Sequence, residues 1–317
     1  MTILVTGVCG FIGSNFINYM VNKYKNYNFI GIDALTYAGD LNYITDILNN
    51  DNFAFYKMNI CNLEDLDKLF KDNHIDYCIN IAAETHVDRS IIDPSIFIKT
   101  NVLGVSNLLD LCLKYNVTRF HQVSTDEVYG YLEFDSKDLF REDSTLNPSS
   151  PYSASKASAD LLVNAYHSTY KLDTTISRCS NNYGPNQYPE KLIPLVIKNA
   201  LNDIEIPIYG NGMNIREWLH VKDHVLGIEK ILFNGRSGQV YNIGSNTEIS
   251  NLELVKKILN MLGKSESLIK FVNDRPAHDL RYGIDYSKIK NELGYNTTIS
   301  FNEGLEETIK YYEKKYK

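Results

Sequence analysis

Residues 2–13, TILVTGVCGFIG, decide how the rest of the chain is read. An apolar, β-branched run stops at Gly7, and glycines recur at Gly10 and Gly13, where a strand would turn into a helix. Glycines at such a turn let backbone N–H groups approach a pyrophosphate, and the helix N-terminus adds positive potential. The spacing is G-x-x-G-x-x-G and not the commoner G-x-G-x-x-G, so the surroundings have to support the reading. They do. The next strand, NFIGID, ends on Asp33, a carboxylate suited to accept hydrogen bonds from ribose hydroxyls and to repel a 2′-phosphate. The pattern favours NAD over NADP; read alone, it also fits a tight turn followed by a solvated Asp.

Working outward, FAFYKMNI, IDYCINIAA, TRFHQVS and DTTISR read as further strands. Between them lie helical patterns: LEDLDKLFKD, a long helix after Pro94, and SPYSASKASADLLVNAYHSTY with Ser150 as cap and Pro151 in its first turn. In the helix after Pro94, Phe97, Val102, Val105, Leu108, Leu109 and Cys112 fall at helical spacing. Such alternation predicts an α/β fold with a doubly wound (Rossmann) parallel sheet covered on both faces. After Arg178 the rhythm breaks into CSNNYGPNQYPEK, an irregular segment of the kind that contacts a ligand. Helices near 221–233 and 251–262, the strand QVYNIG and a terminal helix from Phe301 follow. The expected division is an NAD-binding domain at 1–178, with about 219–245 returning to it. A smaller α/β substrate domain takes 179–218 and 246–317.

With 44% hydrophobic and 22% charged residues among 317, the composition is that of an ordinary soluble globular protein. A net charge of −7 argues against a nucleic-acid partner. Cys9, Cys61, Cys78, Cys112 and Cys179 are scattered and form no C-x-x-C pair, so free thiols and no metal centre are expected. The chain enters its first strand without a signal peptide, and no apolar run approaches the roughly 18 residues of a membrane span. A cytoplasmic location, with no membrane partner, is expected.

SPYSASK places Tyr152 and Lys156 four apart, on one helix face. The same spacing occurs at Tyr19/Lys23, Tyr286/Lys290 and Tyr311/Lys315, but only the 152/156 pair opens a helix after a strand ending in Ser-Thr. A phenol with pKa near 10 is a poor base at neutral pH. A neighbouring ammonium and a positive nicotinamide ring would favour phenolate, making Tyr152 the candidate base that removes a hydroxyl proton while hydride leaves the same carbon. At the end of the strand in RFHQVSTDEVYG stand Thr125, Asp126 and Glu127, two adjacent carboxylates where open α/β sheets bind ligands.

Together these motifs resemble the extended short-chain dehydrogenase/reductases, and most closely the dTDP-glucose 4,6-dehydratase family. The similarity runs nearly end to end through TGVCGFIGSN, DALTYAGDL, AAETHVDRSI, STDEVYG, SPYSASKASAD, SNNYGPNQYPEKLIPL, REWLHVKDH, YNIGS and DRPAHDLRY. The resemblance implies a nucleotide-sugar lyase of deoxysugar (for instance rhamnose) biosynthesis with catalytic NAD. Tyr152 would take the C4 hydroxyl proton, with Thr125 bonded to that oxygen. Glu127 would be the base at C5 and Asp126 the acid at C6. Like-charge repulsion then separates a protonated from an ionised carboxyl. Without the family, Asp126 as a helix cap and Glu127 as a first-turn residue fit equally well.

The resemblance assigns cofactor contacts to Gly7, Gly10, Phe11, Ile12 and Gly13, to Asp33, Ala34, Leu35 and Thr36, to Asn59, Ile60, Ala82, Ala83, Thr100 and Asn182, and to Tyr152 and Lys156. It assigns nucleotide-sugar contacts to Thr85, Thr125, Asn181, Lys191 and Leu192. The same role falls to Pro207, Ile208, Tyr209, Arg216 and Asn251, and to Asp274, Arg275, Pro276, Ala277 and His278. Lys191, Arg216 and Arg275 are the cations a buried diphosphate requires. Two positions depart from the family pattern: Asn59 replaces the usual Asp beside adenine, and Ala277 the usual Gly beside the nucleotide. Epimerases, decarboxylases and GDP-mannose dehydratases share the fold, as would a non-catalytic NAD-binding scaffold. Asp126 separates the dTDP-glucose enzyme, or a close CDP- or UDP-sugar relative, from the other enzymes, and the intact Tyr152/Lys156 pair argues against the scaffold. The helices after Pro94 and Pro151 are expected to form the four-helix seam of a homodimer.

Overall fold

The structure, a computed structural model, describes residues 1–316 apart from Arg275 and Ala277. Seven parallel strands build the large sheet: β1 (Thr2–Thr6), β2 (Asn28–Asp33), β3 (Phe53–Lys57), β4 (Tyr77–Asn80), β5 (Arg119–Thr125), β6 (Thr174–Cys179) and, from late in the chain, β10 (Gln239–Ile243). Their order is β10-β6-β5-β4-β1-β2-β3, so chain direction across the sheet reverses between β1 and β4. A crevice opens at that reversal, beyond the strand ends.

The two-residue period of a strand explains why TILVT is apolar almost throughout. Ile3 and Val5 face helices α1 (Phe11–Lys23) and α8 (Val221–Asn234). Leu4 faces the other way, into a core shared with α2 (Leu63–Asp72), α5 (Gly104–Lys114) and α6 (Pro151–Tyr170). Gly7 then turns with φ +72, and a Cβ there would stand 2.7 Å from the backbone nitrogen of Ala82, where the exit of β4 crosses it. At Gly13 a Cβ would fall 1.9 Å from the Gly7 carbonyl oxygen. Both glycines are needed for the close approach of strand, loop and helix.

α6 begins as its sequence predicts. Ser150 Oγ accepts from Ser153 N–H at 3.1 Å, Ser153 Oγ accepts from Ser150 N–H at 3.0 Å, and Pro151 occupies the first turn. This cap sets the helix rotation that buries Tyr152 and Lys156 against the end of β5.

Short α3 (Val87–Ile92) and α4 (Pro94–Phe97) precede a π turn, Ile98–Leu103, that runs into α5. The helix Pro94–Lys114 is thereby long and apolar enough, by length and composition, to cross a membrane, contrary to the expectation that no run would be. Half of its apolar window is buried. Val105, Leu108, Leu109 and Cys112 lie against the sheet while Ile96, Ile98 and Leu103 point outward, so both sides are apolar.

The second half of the chain adds β7 (Asn181–Tyr183), β9 (Ile215–His220) and β11 (Glu248–Ser250) as a three-stranded sheet, and β8 (Ile206–Tyr209) with β12 (Ile269–Val272) as a parallel pair. Helices α7 (Leu192–Leu201), α9 (Asn251–Met261) and α11 (Phe301–Tyr316) close a separate core around Trp218, Ile197, Ile258 and Ile309. One stretch departs from the expected division. α10 (Ser287–Leu293) was assigned to the substrate half, yet Ile289 and Tyr295 belong to the large core beside α8. Lys288 Nζ fastens it to β10 through the Val240 carbonyl at 2.7 Å.

Candidate active site

The ends of β1, β2, β4, β5 and β6 frame one cavity of about 290 Å³. Gly7, Gly10 and Gly13 form one wall, Asp33 and Asn59 the next, and Ala82 to Thr85 the floor of the crevice. Thr125, Asp126, Glu127, Tyr152 and Lys156 line the same cavity, with Asn181, Asn182 and Lys191. Five buried side-chain atoms on these walls have no partner among the described residues: Ser124 Oγ, Asp126 Oδ2, Ser180 Oγ, Asn181 Oδ1 and Gln187 Oε1. Buried polar atoms rarely stay unpaired. Such a cluster suits a ligand rich in hydroxyl, amide and phosphate groups, as NAD and a sugar nucleotide are.

Asp33 is held in place by Cys9 N–H at 2.9 Å on Oδ2 and Leu35 N–H at 2.7 Å on Oδ1. Burial pushes its pKa up, and these two bonds pull against that. The carboxylate is thus oriented before any ribose arrives.

β5 ends at Thr125, whose Oγ1 caps a short 3-10 turn, Asp126–Tyr129, by accepting from Glu127 N–H at 3.3 Å. The cap is therefore Thr125 and not Asp126. The Thr125 hydroxyl also reaches Asp126 Oδ1 at 3.3 Å. Asp126 is buried while Glu127 is half-buried. Burial, then the charges of Glu127 and Glu217, drive the Asp126 pKa well above the carboxylate range. Burial and like charge thus favour the neutral form of Asp126, the form an acid needs.

Tyr152 packs edge-on to Phe97 with centroids 6.3 Å apart. Among the protein's own groups, its pKa moves opposite to the expected direction. Burial foremost, then Glu127 and Cys179, raise it well above a phenol's, against a hydrogen bond with Thr125. Lys156 is fully enclosed, burial lowers its pKa, and its Nζ donates to the Val123 carbonyl at 2.7 Å. The positive charge of a nicotinamide held in the cavity would pull the phenol pKa down.

Comparison with known proteins decides the family. A profile described as GDP-mannose 4,6 dehydratase matches residues 4–308. The dTDP-glucose 4,6-dehydratase of Neisseria gonorrhoeae is 44% identical, with 98% of this chain and 95% of that protein covered. The Bacillus anthracis dTDP-glucose 4,6-dehydratase, solved in complex with NAD, superposes with a TM-score of 0.92 at 47% identity over 99% of this chain and 97% of that one. The Streptomyces venezuelae enzyme, solved with NAD and dTDP bound, gives 0.95 at 43% identity over the same shares. The chain belongs to the dTDP-glucose 4,6-dehydratase family.

Against that family's pattern, the cavity gathers every expected cofactor residue except Leu35, which adopts φ +52 and packs against the large core. Asn59 is exposed, and its Oδ1 accepts from Cys61 N–H at 2.9 Å, so part of its acceptor capacity goes to the backbone and not to adenine. On the substrate side Thr85, Thr125, Asn181 and Lys191 line the cavity, and Lys191 Nζ donates to the Thr85 carbonyl at 2.9 Å. Pro207, Tyr209, Arg216, Asn251, Asp274, Pro276 and His278 lie outside its walls. Arg216 is buried, stacks 4.3 Å over the Tyr282 ring and donates to the Ile215 and Asp279 carbonyls. Ile208 is buried in the small core because alternate positions of β8 point inward, and half-buried Leu192, at the start of α7, packs against the same core. Arg275 and Ala277 lie outside the described residues.

Sequence reasoning missed Ser124, Cys179, Ser180 and Gln187 on the walls. The first three flank the ends of β5 and β6, so the strand-end rule could have found them. It also missed a cluster at the mouth, where Tyr37 O–H donates to Glu190 Oε1 at 2.9 Å and the Arg89 guanidinium lies 3.5 Å over the Tyr37 ring.

Proposed function

We propose that this chain converts dTDP-glucose to dTDP-4-keto-6-deoxyglucose and water. The observation that carries this is the Thr125-Asp126-Glu127 turn, a buried carboxyl with a raised pKa beside a half-buried one, in the same cavity as Tyr152 and Lys156. Gly7 to Gly13 would hold the NAD pyrophosphate, Asp33 the adenosine ribose, and Lys156, Thr100 and Asn182 the nicotinamide end. When bound, NAD accepts hydride from sugar C4 and later returns it to C6.

Tyr152 removes the C4 hydroxyl proton, and Thr125 hydrogen-bonds the same oxygen. A C4 ketone acidifies the C5 hydrogen, which Glu127 then abstracts. Asp126 hands its proton to the C6 hydroxyl as it leaves as water. General acid–base help of this kind contributes about 10²–10⁴-fold per group. Arg216 and Lys191 are the diphosphate cations, with Arg275 a third on family grounds.

A homodimer is proposed on a second observation. Ile92 is 83% exposed, and Ile96, Ile98 and Leu103 on the 94–114 helix and Leu161 and Tyr170 on α6 are also exposed, an outward apolar surface on the two helices a four-helix seam would use. A cytoplasmic site of action fits five unpaired thiols and a nucleotide-sugar substrate.

The test is isotopic. dTDP-glucose carrying deuterium at C4 should yield product with deuterium at C6, whereas UDP-glucose, CDP-glucose and GDP-mannose should turn over poorly. Product lacking the transferred deuterium would reject the mechanism; preference for another nucleotide would reject the substrate.

A further inference from the structure

Two histidines lie wholly buried between the large sheet and α8, and they differ in one respect. His121 on β5 has both ring nitrogens matched, Nδ1 with Thr175 Oγ1 at 2.9 Å and Nε2 with Ser177 Oγ at 3.1 Å. His224 on α8 has one: Nδ1 lies 3.0 Å from Asn182 Oδ1, and Nε2 is buried without a partner. A fully paired histidine is accounted for by the fold. His224 asks what its single bond is for.

We infer that His224 is a positioning residue for the cofactor's nicotinamide end, acting through the Asn182 amide. This rests on the proposed cofactor role of Asn182, which lines the cavity at 9% exposure. The amide is oriented from both ends. Its Nδ2 lies 3.0 Å from the Ser180 carbonyl, which can only accept, so the nitrogen faces Ser180 and the oxygen faces His224. An amide oxygen also only accepts, so His224 Nδ1 must carry the proton. Burial lowers the His224 pKa to about 3, which keeps the ring neutral and leaves Nε2 as the bare acceptor.

That tautomer has a consequence in the cavity. Of the two Asn182 amide hydrogens, one goes to the Ser180 carbonyl. The other faces Cys179 Sγ at 3.3 Å, a weak acceptor. Cys179 stands on the same wall as Tyr152 and Lys156. The second hydrogen is therefore the one free to exchange sulfur for a stronger acceptor, and the carboxamide oxygen of a nicotinamide is of that class. The terminal torsion of an Asn is broad and nearly two-fold. Without the His224 donor, the amide oxygen loses its hydrogen-bond donor and only the nitrogen's contacts to Ser180 and the weakly accepting Cys179 remain, so the donor meant for the cofactor is held less firmly.

The experiment compares wild type with His224→Leu, His224→Asn, Asn182→Ala and the Leu/Ala double variant. Each is purified as the full chain; NAD content, the rate of NAD loss on dilution and the melting curve are measured. His224→Leu should weaken NAD retention roughly threefold to tenfold, the range for one lost hydrogen bond. His224→Asn, whose amide nitrogen replaces the Nδ1 donor, should recover most of the loss. In the Asn182→Ala background, His224→Leu should add little. Normal retention in a folded His224→Leu variant would overturn the inference, as would an undiminished effect in that background. If Asn182→Ala itself leaves retention unchanged, the cofactor reading of Asn182 falls first and this inference with it. Should His224→Leu fail to fold, ¹⁵N NMR of the wild-type histidines decides: Nδ1 should stay protonated and Nε2 bare between about pH 8 and about pH 5. The opposite tautomer would refute it.

Discussion

The two ends of the ligand-binding surface are built on different principles. At the large sheet, parallel strands all stop at one edge, so residues far apart in sequence, from Gly7 to Asn182, converge on one cavity. Across from it, residues expected to touch the nucleotide sit on short strands and turns, and several serve the small core as well. Ile208 and Leu192 turn inward, and Arg216 is braced by Tyr282 and the Asp279 carbonyl. The first surface comes prearranged by topology. The second is arranged residue by residue, and it should contribute binding more than chemistry.

The sharpest break of that contrast is Tyr152→Phe, which should lower kcat by about 10²–10⁴-fold and abolish NAD reduction in a single-turnover absorbance trace. A trace matching wild type would remove Tyr152 from the first step. Asp126→Asn should cost about as much overall, yet still reduce NAD and exchange the C5 hydrogen with solvent, read by NMR in D₂O. At the other surface, Arg216→Gln should raise KM roughly tenfold or more with kcat little altered, the signature of binding shared by ground and transition states. A selective fall in kcat would mean that this arm contributes to the chemistry. Ile208→Ala should lower stability by about 2–5 kcal/mol without changing KM, as a core truncation does, measured by denaturant titration with substrate kinetics alongside.

The smallest effect concerns pH. Asp126 has its pKa raised in the folded protein, so its favourable share of stability is whole below the unfolded value of about 3.9 and is lost as pH rises toward the folded value. Asp126→Asn, free of that titration, should therefore melt at higher temperature than wild type above about pH 5, by a margin that grows with pH. A margin independent of pH would show that the carboxyl is ionised in both states.

Local chemistry explains which parts were legible. The β1 turn and the Ser150–Pro151 start of α6 are written in consecutive residues, and the structure has both as read. The three-residue strands β7 (NNY) and β11 (EIS) are too short to show any period and exist only through their pairing with β9. α10 joins the large core through little more than Ile289 and its neighbours Tyr286, Leu293 and Tyr295, an attachment no local pattern announces. The upward shift at Tyr152 was missed for a related reason: Lys156 is visible four residues away, whereas enclosure by Phe97, Glu127 and Cys179 is a property of the assembled site.

β10 lies directly beside β6, yet β7, α7, β8 and β9, the first elements of the smaller lobe, come between these two strands in the chain. A ribosome releasing the chain before Gln239 would leave the β6 edge bare, and the large sheet itself is finished only after the lobe's first elements have been made.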